Sequence, residues 1–266
     1  MTAPRTSPAA RRPPRAARER LDVLLVERGL ASGRDRARAL VMARDVLVDG
    51  EVATRPAAPV AVDAVIEVKT PPPYVSRGGE KLAHALDRTG VAVEGRRCLD
   101  VGASTGGFTD CLLQRGAVSV VAVDVGYGDF AQRLRNDPRV ELRERTNARA
   151  LEPLDPPVDL VVMDVSFISI AAILPAIVPS LRPGADLLLM VKPQFEAARE
   201  AVEKGGVVRD PVAHAAAVAK VALAAQDLGL RLRGVVRSPL TGPAGNREFF
   251  LWARRPAGPQ QAEGAA

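Results

Sequence analysis

Four charged residues stand where chemistry would need them: Asp164, Lys192, Lys81 and Glu248. Asp164 closes the apolar run Leu160-Val161-Val162-Met163, and Lys192 closes Leu187-Leu188-Leu189-Met190-Val191. A charge ending a strand too apolar to be exposed must be paired or used. Lys81 follows Arg77-Gly78-Gly79-Glu80 at the start of a predicted helix, and Glu248 begins the predicted final strand. Two lysines and two carboxylates converging on one sheet edge suit methyl transfer to a ribose 2′-hydroxyl, a poor nucleophile that must lose or share its proton as it reacts. Holding nucleophile and methyl in line can itself contribute about 7 to 11 kcal/mol. The plainer alternatives are that Asp164 caps a following helix through Ser166 to Ile170, that Lys192 is a solvated strand end, and that Lys81 and Glu248 are surface charges.

The element that would hold the second reactant is Leu99-Asp100-Val101-Gly102-Ala103-Ser104-Thr105-Gly106-Gly107, an apolar strand running into a glycine-rich turn that opens a helix. Such a turn presents free backbone N–H groups to a nucleotide-like ligand. About twenty residues after Gly102, a second apolar strand ends in Asp124, where a carboxylate can accept hydrogen bonds from ribose hydroxyls. The dinucleotide pattern needs a glycine at the middle position so that backbone can approach a pyrophosphate, and here that residue is Ser104. A ribose-bearing ligand without phosphates fits better, and S-adenosylmethionine (SAM) is the common one. Glycine turns also serve backbone geometry alone.

Alternating apolar strands and amphipathic helices from 75 to 255 predict an α/β domain with a mostly parallel, Rossmann-like sheet of seven strands. The strands are expected at 97–101, 118–123, 140–142, 158–163, 185–191, 231–237 and 247–253. The last two are joined by too short a segment for a crossover, so they should pair antiparallel. Ahead of this domain, residues 20–68 predict a small α+β unit. Leu21, Leu24 and Leu25 recur at helical spacing until Gly29, Ser32 and Asp35 suggest a capping box, and Ala37, Leu40 and Val41 form the inner face of a second helix. Val46-Leu47-Val48, Asp49-Gly50 and Glu51-Val52 read as a hairpin. The Pro-rich stretch 69–74 reads as a stiff linker, 1–19 as a disordered basic arm and 256–266 as a disordered tail.

The chain has 266 residues, a net charge of +6 and 47% hydrophobic residues, which allows one large and one small domain and favours a polyanionic partner. Much of the positive excess lies in the first twenty residues. With aromatics at 3%, a broad base-stacking platform is not expected. Cys98 and Cys111 lack metal or disulfide spacing and read as small core residues, while His84 and His214 read as helix-surface residues, so no metal site is expected. No apolar run reaches membrane-spanning length and no signal peptide is visible, so a cytoplasmic protein is expected. Arg34 and Arg38 share an outer helix face and, with Arg18 and Arg20, are candidates for contact with RNA phosphates; the alternative is a solvated face.

Taken together these segments resemble a known family. Val75-Ser76-Arg77-Gly78-Gly79-Glu80-Lys81-Leu82, the glycine turn, Asp124-Val125-Gly126-Tyr127-Gly128, Arg145-Thr146-Asn147, Asp164-Val165-Ser166-Phe167-Ile168-Ser169, Lys192-Pro193-Gln194-Phe195-Glu196 and Gly245-Asn246-Arg247-Glu248-Phe249-Phe250 are similar, in order, to the TlyA (hemolysin A) family of ribosomal RNA cytidine 2′-O-methyltransferases. The resemblance covers residues 20 to 254. It implies an RNA-binding domain like that of a small-subunit ribosomal protein, followed by an FtsJ-like domain. It implies a Lys-Asp-Lys-Glu tetrad at Lys81, Asp164, Lys192 and Glu248, with Lys192 as base or orienter of the hydroxyl. It further implies a SAM site formed by Gly102, Ala103, Ser104, Thr105, Gly106, Gly107 and Asp124, with Asn147 at the adenine edge. The implied substrate is cytidine in small-subunit and, in some members, large-subunit ribosomal RNA, and a monomer is expected. Two other classes compete: a membrane-lytic toxin, which would need an amphipathic or spanning segment, and a non-catalytic ribosome-assembly factor, which would not need all four tetrad charges.

Overall fold

A computed structural model describes residues 17–69 and 72–258. The chain divides into two compact units, Met1–Pro71 and Pro72–Ala266.

In the first unit, β1 (Arg18–Arg20) leads directly into α1 (Leu21–Glu27), followed by α2 (Arg34–Met42), β2 (Val46–Val48), β3 (Glu51–Val52), β4 (Pro59–Ala61) and β5 (Ile66–Val68). β3, β2 and β5 form an antiparallel sheet, and β1 pairs with β4. The hairpin turns on Asp49 and Gly50, both at positive φ as a two-residue turn requires. Leu21, Leu25, Ala37, Val41 and Val46 fill the core.

Four expectations change here. The arm read over 1–19 ends sooner, because Arg18 and Glu19 lie in β1, where pairing with Ala61 and Val60 satisfies their backbone; the rest of the arm, 1–16, is outside the described residues. The capping box does not form: Gly33 is the N-cap of α2, no side chain caps it, and Asp35 faces Arg38 instead. The small unit carries strands β1, β4 and β5 beyond the expected hairpin. The linker is shorter than 69–74, since Lys69 bonds to Asp45 and Arg44 in the first unit, while Gln114 holds Pro73 and Tyr74 packs into the second.

The second unit runs α3 (Arg77–Thr89), β6 (Arg97–Val101), α4 (Gly107–Gln114), β7 (Ser119–Val123), α5 (Gln132–Arg135), β8 (Val140–Arg143), β9 (Val158–Met163), α6 (Leu174–Ile177), β10 (Leu181–Val191), α7 (Pro193–Glu196), α8 (Pro211–Asp227), β11 (Arg231–Arg237) and β12 (Phe249–Arg254). These strands make one sheet ordered β11-β12-β10-β9-β6-β7-β8, parallel except for β12, which is antiparallel to both its neighbours. Its central strands are mostly apolar because both faces are covered, with Asp100 in β6 a buried exception. One face packs on α3 and α4 through Leu82, Leu86, Cys98, Phe108 and Leu112, the other on α6 and α8 through Val161, Leu174, Ile177 and Val221. Helix α8 starts where Asp210 accepts from Val212 N and Pro211 occupies the first turn.

β10 begins four residues earlier than expected, with an irregularity between Leu181 and Asp186, and Glu248 precedes the last strand rather than opening it. His214 is buried, not on the helix surface: its Nε2 lies 2.8 Å from Val208 O and its ring packs on Phe249. Both cysteines are fully buried, as expected of core residues.

Candidate active site

The sheet topology explains why distant residues share an edge. β6, β9 and β10 are parallel, so the glycine turn, Asp164 and Lys192 all leave the sheet at its carboxyl edge, where ligands of such sheets bind. β12 runs the opposite way, so its start, and with it Glu248, reaches that same edge. Lys81, in the second turn of α3, comes from the covering layer.

Two ion pairs form there. Lys81 Nζ lies 2.6 Å from Glu248 Oε2, with both residues buried. Lys192 Nζ lies 2.6 Å from Asp164 Oδ1 and donates to Ser166 Oγ at 2.9 Å. Asp164 does not cap a helix: the five residues after it are irregular, and Ser169 precedes the next helical turn. Gly102 sits at φ +85°, and a Cβ there would meet the Asp164 carbonyl oxygen at 2.4 Å, so the ends of β6 and β9 meet only because this residue lacks a side chain.

Two neighbouring cavities open at this edge. The larger, about 290 Å³, is lined by Gly102, Ser104, Asp124, Asn147 and Asp164 among others. Its walls are apolar at Val123, Phe130, Leu142 and Ile173; its charged lining residues are the carboxylates of Asp124, Asp129, Glu144 and Asp164, with no lysine or arginine. An acidic nucleoside-sized cavity repels a pyrophosphate and suits an adenosyl ligand carrying positive charge, so these residues fit SAM. Asp124 Oδ2 accepts from Ser104 N and Oδ1 from Gly126 N, each at 2.7 Å. The carboxylate thereby holds Ser104 in a left-handed conformation, φ 49°, which explains how a serine stands where glycine is usual. Ala103 and Gly106 are buried, Thr105 is half-buried, and Gly107 starts α4. Asn147 lines the cavity while its Oδ1 accepts from Arg149 N. The smaller cavity, about 170 Å³, is lined by Ser76, Arg77, Lys81, Ser104, Thr241 and Asp164 among others and carries the cations the first one lacks. Gly102, Ser104 and Asp164 border both.

The structure adds residues that sequence reasoning missed. Asp100 is fully buried; Thr109 Oγ1 donates to its Oδ2 at 2.7 Å, and Oδ1 has no partner. Burial, with the nearby Asp164 and Asp124 carboxylates adding to it against the Thr109 bond, pushes its carboxyl up to about 7. A charged residue inside the apolar run Cys98-Leu99-Asp100-Val101 was the available signal. Glu196 is buried behind Lys192: it accepts from Ser169 Oγ at 2.5 Å and Ile170 N at 2.6 Å, and Lys220 Nζ lies 3.2 Å away. In the first unit, Arg20, Arg34 and Arg38 are not a free face. All three lean on the buried Asp22, at 2.8, 3.2 and 3.6 Å, while keeping about half their side chains exposed. The Arg20 hydrogen bonds, against burial and with help from Arg34, hold the Asp22 carboxyl far below the usual range. Arg18 is exposed on β1.

A seven-stranded sheet with one reversed strand beside its edge, carrying an acidic nucleoside cavity at the first glycine turn, defines a Rossmann-like methyltransferase. Residues 74–255 match the FtsJ-like methyltransferase family, and residues 19–66 match the S4 domain. The chain is 53% identical over 243 residues, 90% of its length and 91% of the relative's, to the 16S/23S rRNA (cytidine-2′-O)-methyltransferase TlyA of Mycobacterium tuberculosis. It is 40% identical to Hemolysin A of Brachyspira hyodysenteriae, covering 87% of this chain and 98% of that one. A solved structure from Streptococcus thermophilus superposes with TM-score 0.69 at 39% identity, covering 92% and 91% of the two chains. The chain belongs to the TlyA family of FtsJ-like methyltransferases. No helix among the described residues is long and apolar enough to cross a membrane.

Proposed function

We propose that this protein uses SAM to methylate the 2′-hydroxyl of cytidine in ribosomal RNA of the small subunit, and of the large subunit also, a cytoplasmic substrate. The observation that carries this reading is Asp164, which borders both the acidic and the basic cavity and is ion-paired to Lys192. SAM, when bound, supplies an electrophilic methyl group. Asp124 receives the ribose hydroxyls of the nucleoside on the lone pairs left outside its two backbone bonds, and Asn147 lies at the adenine edge. Lys81, fixed by Glu248, holds the target nucleotide in the basic cavity. Lys192, fixed by Asp164 and Ser166, engages the 2′-oxygen and orients it toward the methyl, and the hydroxyl proton is passed to the Asp164 carboxylate as the new bond forms. Arg18, Arg20, Arg34 and Arg38 contact RNA phosphates from the first unit.

Lys192→Ala is the direct test. Binding of SAM, measured by calorimetry, is retained, while transfer of labelled methyl to ribosomal subunits falls by at least ~100-fold, the scale of a misplaced nucleophile. Unchanged transfer would remove Lys192 from the site. Mass spectrometry of ribosomal RNA from cells with and without the gene identifies the nucleotide.

A further inference from the structure

The ladder between β11 and β12 continues past the assigned strands. Arg237 pairs with Phe249, and Ser238 N donates to Glu248 O at 2.9 Å. Side chains alternate across such a ladder. Glu248 points to the α3 face, where it meets Lys81, and Phe249 points to the α8 face, where it meets His214. Arg237, opposite Phe249, shares its face, and Arg247 lies two residues before Phe249 along the same edge, diagonal to Arg237 in the ladder. The loop ahead of α8 is pinned to this corner. Asn246, itself buried, accepts from Val208 N at 2.9 Å and donates to Gly206 O at 2.8 Å, two residues from Lys204. Lys204, Arg237 and Arg247 are exposed, and among the described residues no carboxylate pairs with any of them. Of the carboxylates on this loop, Glu203 is bound to Arg209 at 3.0 Å, Asp210 caps α8 and Glu200 is exposed. Most arginines on β6 to β10 and their helices are neutralised, as Arg96, Arg135 and Arg139 are by Asp186, Glu144 and Asp137.

We propose that Lys204, Arg237 and Arg247 form a phosphate-binding rim for RNA. The strand that places its target nucleotide in the basic cavity on the α3 side crosses the sheet edge over β12, and its neighbouring phosphates rest on these three cations on the α8 side. The proposal rests on the methyltransferase reading and adds the path of the RNA over the catalytic unit. A diagonal guanidinium pair matches successive phosphates of a single strand, and a protein partner would need the apolar centre that the rim lacks.

The test compares wild type with the Lys204→Gln/Arg237→Gln/Arg247→Gln protein in binding to unmodified small ribosomal subunits across a salt series. The rim predicts a loss of affinity of ~10-fold or more near physiological salt and a log–log salt slope shallower by about 2, with SAM affinity unchanged. Arg237→Lys/Arg247→Lys keeps the charge and should keep the slope, which separates lost phosphate contacts from a damaged fold. If the wild type binds the subunits and the triple variant matches it in affinity and slope, the rim is overturned while the enzyme reading stands. A wild type that binds no RNA under any salt overturns both.

Discussion

Among single residues, Asp100 makes a prediction that no surface carboxylate could. Its folded value near 7 lies above the 3.8 of an ordinary aspartate, so between those limits the folded protein holds a proton that the unfolded chain has released. Stability from this group is complete below about pH 4 and is lost as pH rises through about 7. Asp100→Asn should therefore melt at nearly the same temperature at about pH 5 and about pH 8, while the wild type melts lower at the higher pH. Equal slopes for the two proteins would place the proton elsewhere. The thiols give a second check: burial pushes Cys98 up to about 12 and Cys111 to about 11, so neither supplies a thiolate. A colorimetric thiol reagent should find no reactive cysteine in the native protein and both after denaturation. Asp124, Asp164 and Lys192 stood out in the sequence because each is a charged group closing an apolar run, whereas Lys81 and Glu248 follow polar residues and had no such local mark. Asp22 and Glu196 did not stand out either, since their partners are set by folding: Glu196 reaches Ser169 across 27 residues with no local spacing to announce it.

At the level of elements, Glu196 joins the segment after β9 to the one after β10, the same two segments that carry Asp164 and Lys192. Its removal leaves Ile170 N and Lys220 without their carboxylate. Glu196→Ala should lower unfolding free energy by about 2 to 4 kcal/mol and weaken methyl transfer with it. Glu196→Gln, which can still accept from Ile170 N and turn its amide toward Ser169, should recover most of both; denaturant titration and methyl transfer assays read the two effects. The longer strands showed in the sequence, although the start of β10 did not. The runs 158–163 and 231–237 were readable to the residue, and the reversed pairing of the last strand followed from the shortness of its connection. Pro59–Ala61 and Ile66–Val68 were not, because three residues are too few to show a period. The expected capping box failed because Ser32 is one residue too early: Gly33 occupies the cap.

Across the whole molecule, the two units divide the labour by charge. In the first, three half-exposed arginines are held in a fixed arrangement by one buried carboxylate, with Asp35 also beside Arg38. Arg34→Ala/Arg38→Ala should weaken binding to ribosomal RNA and flatten its salt dependence by about 1 to 2 in log–log slope, while leaving SAM affinity as it was. An unaltered slope would return these side chains to solvent. In the second unit, the proposed catalytic arrangement depends on an odd strand. Only because β12 runs against its neighbours does Glu248 arrive beside Lys81, and only because β9 and β10 run with each other do Asp164 and Lys192 meet. No contiguous stretch of chain carries the proposed quartet, so on this reading a partly assembled sheet does not turn over. On heating, methylation should vanish at the temperature where the sheet comes apart and return only with it, which makes product formation a gauge of folding for this chain.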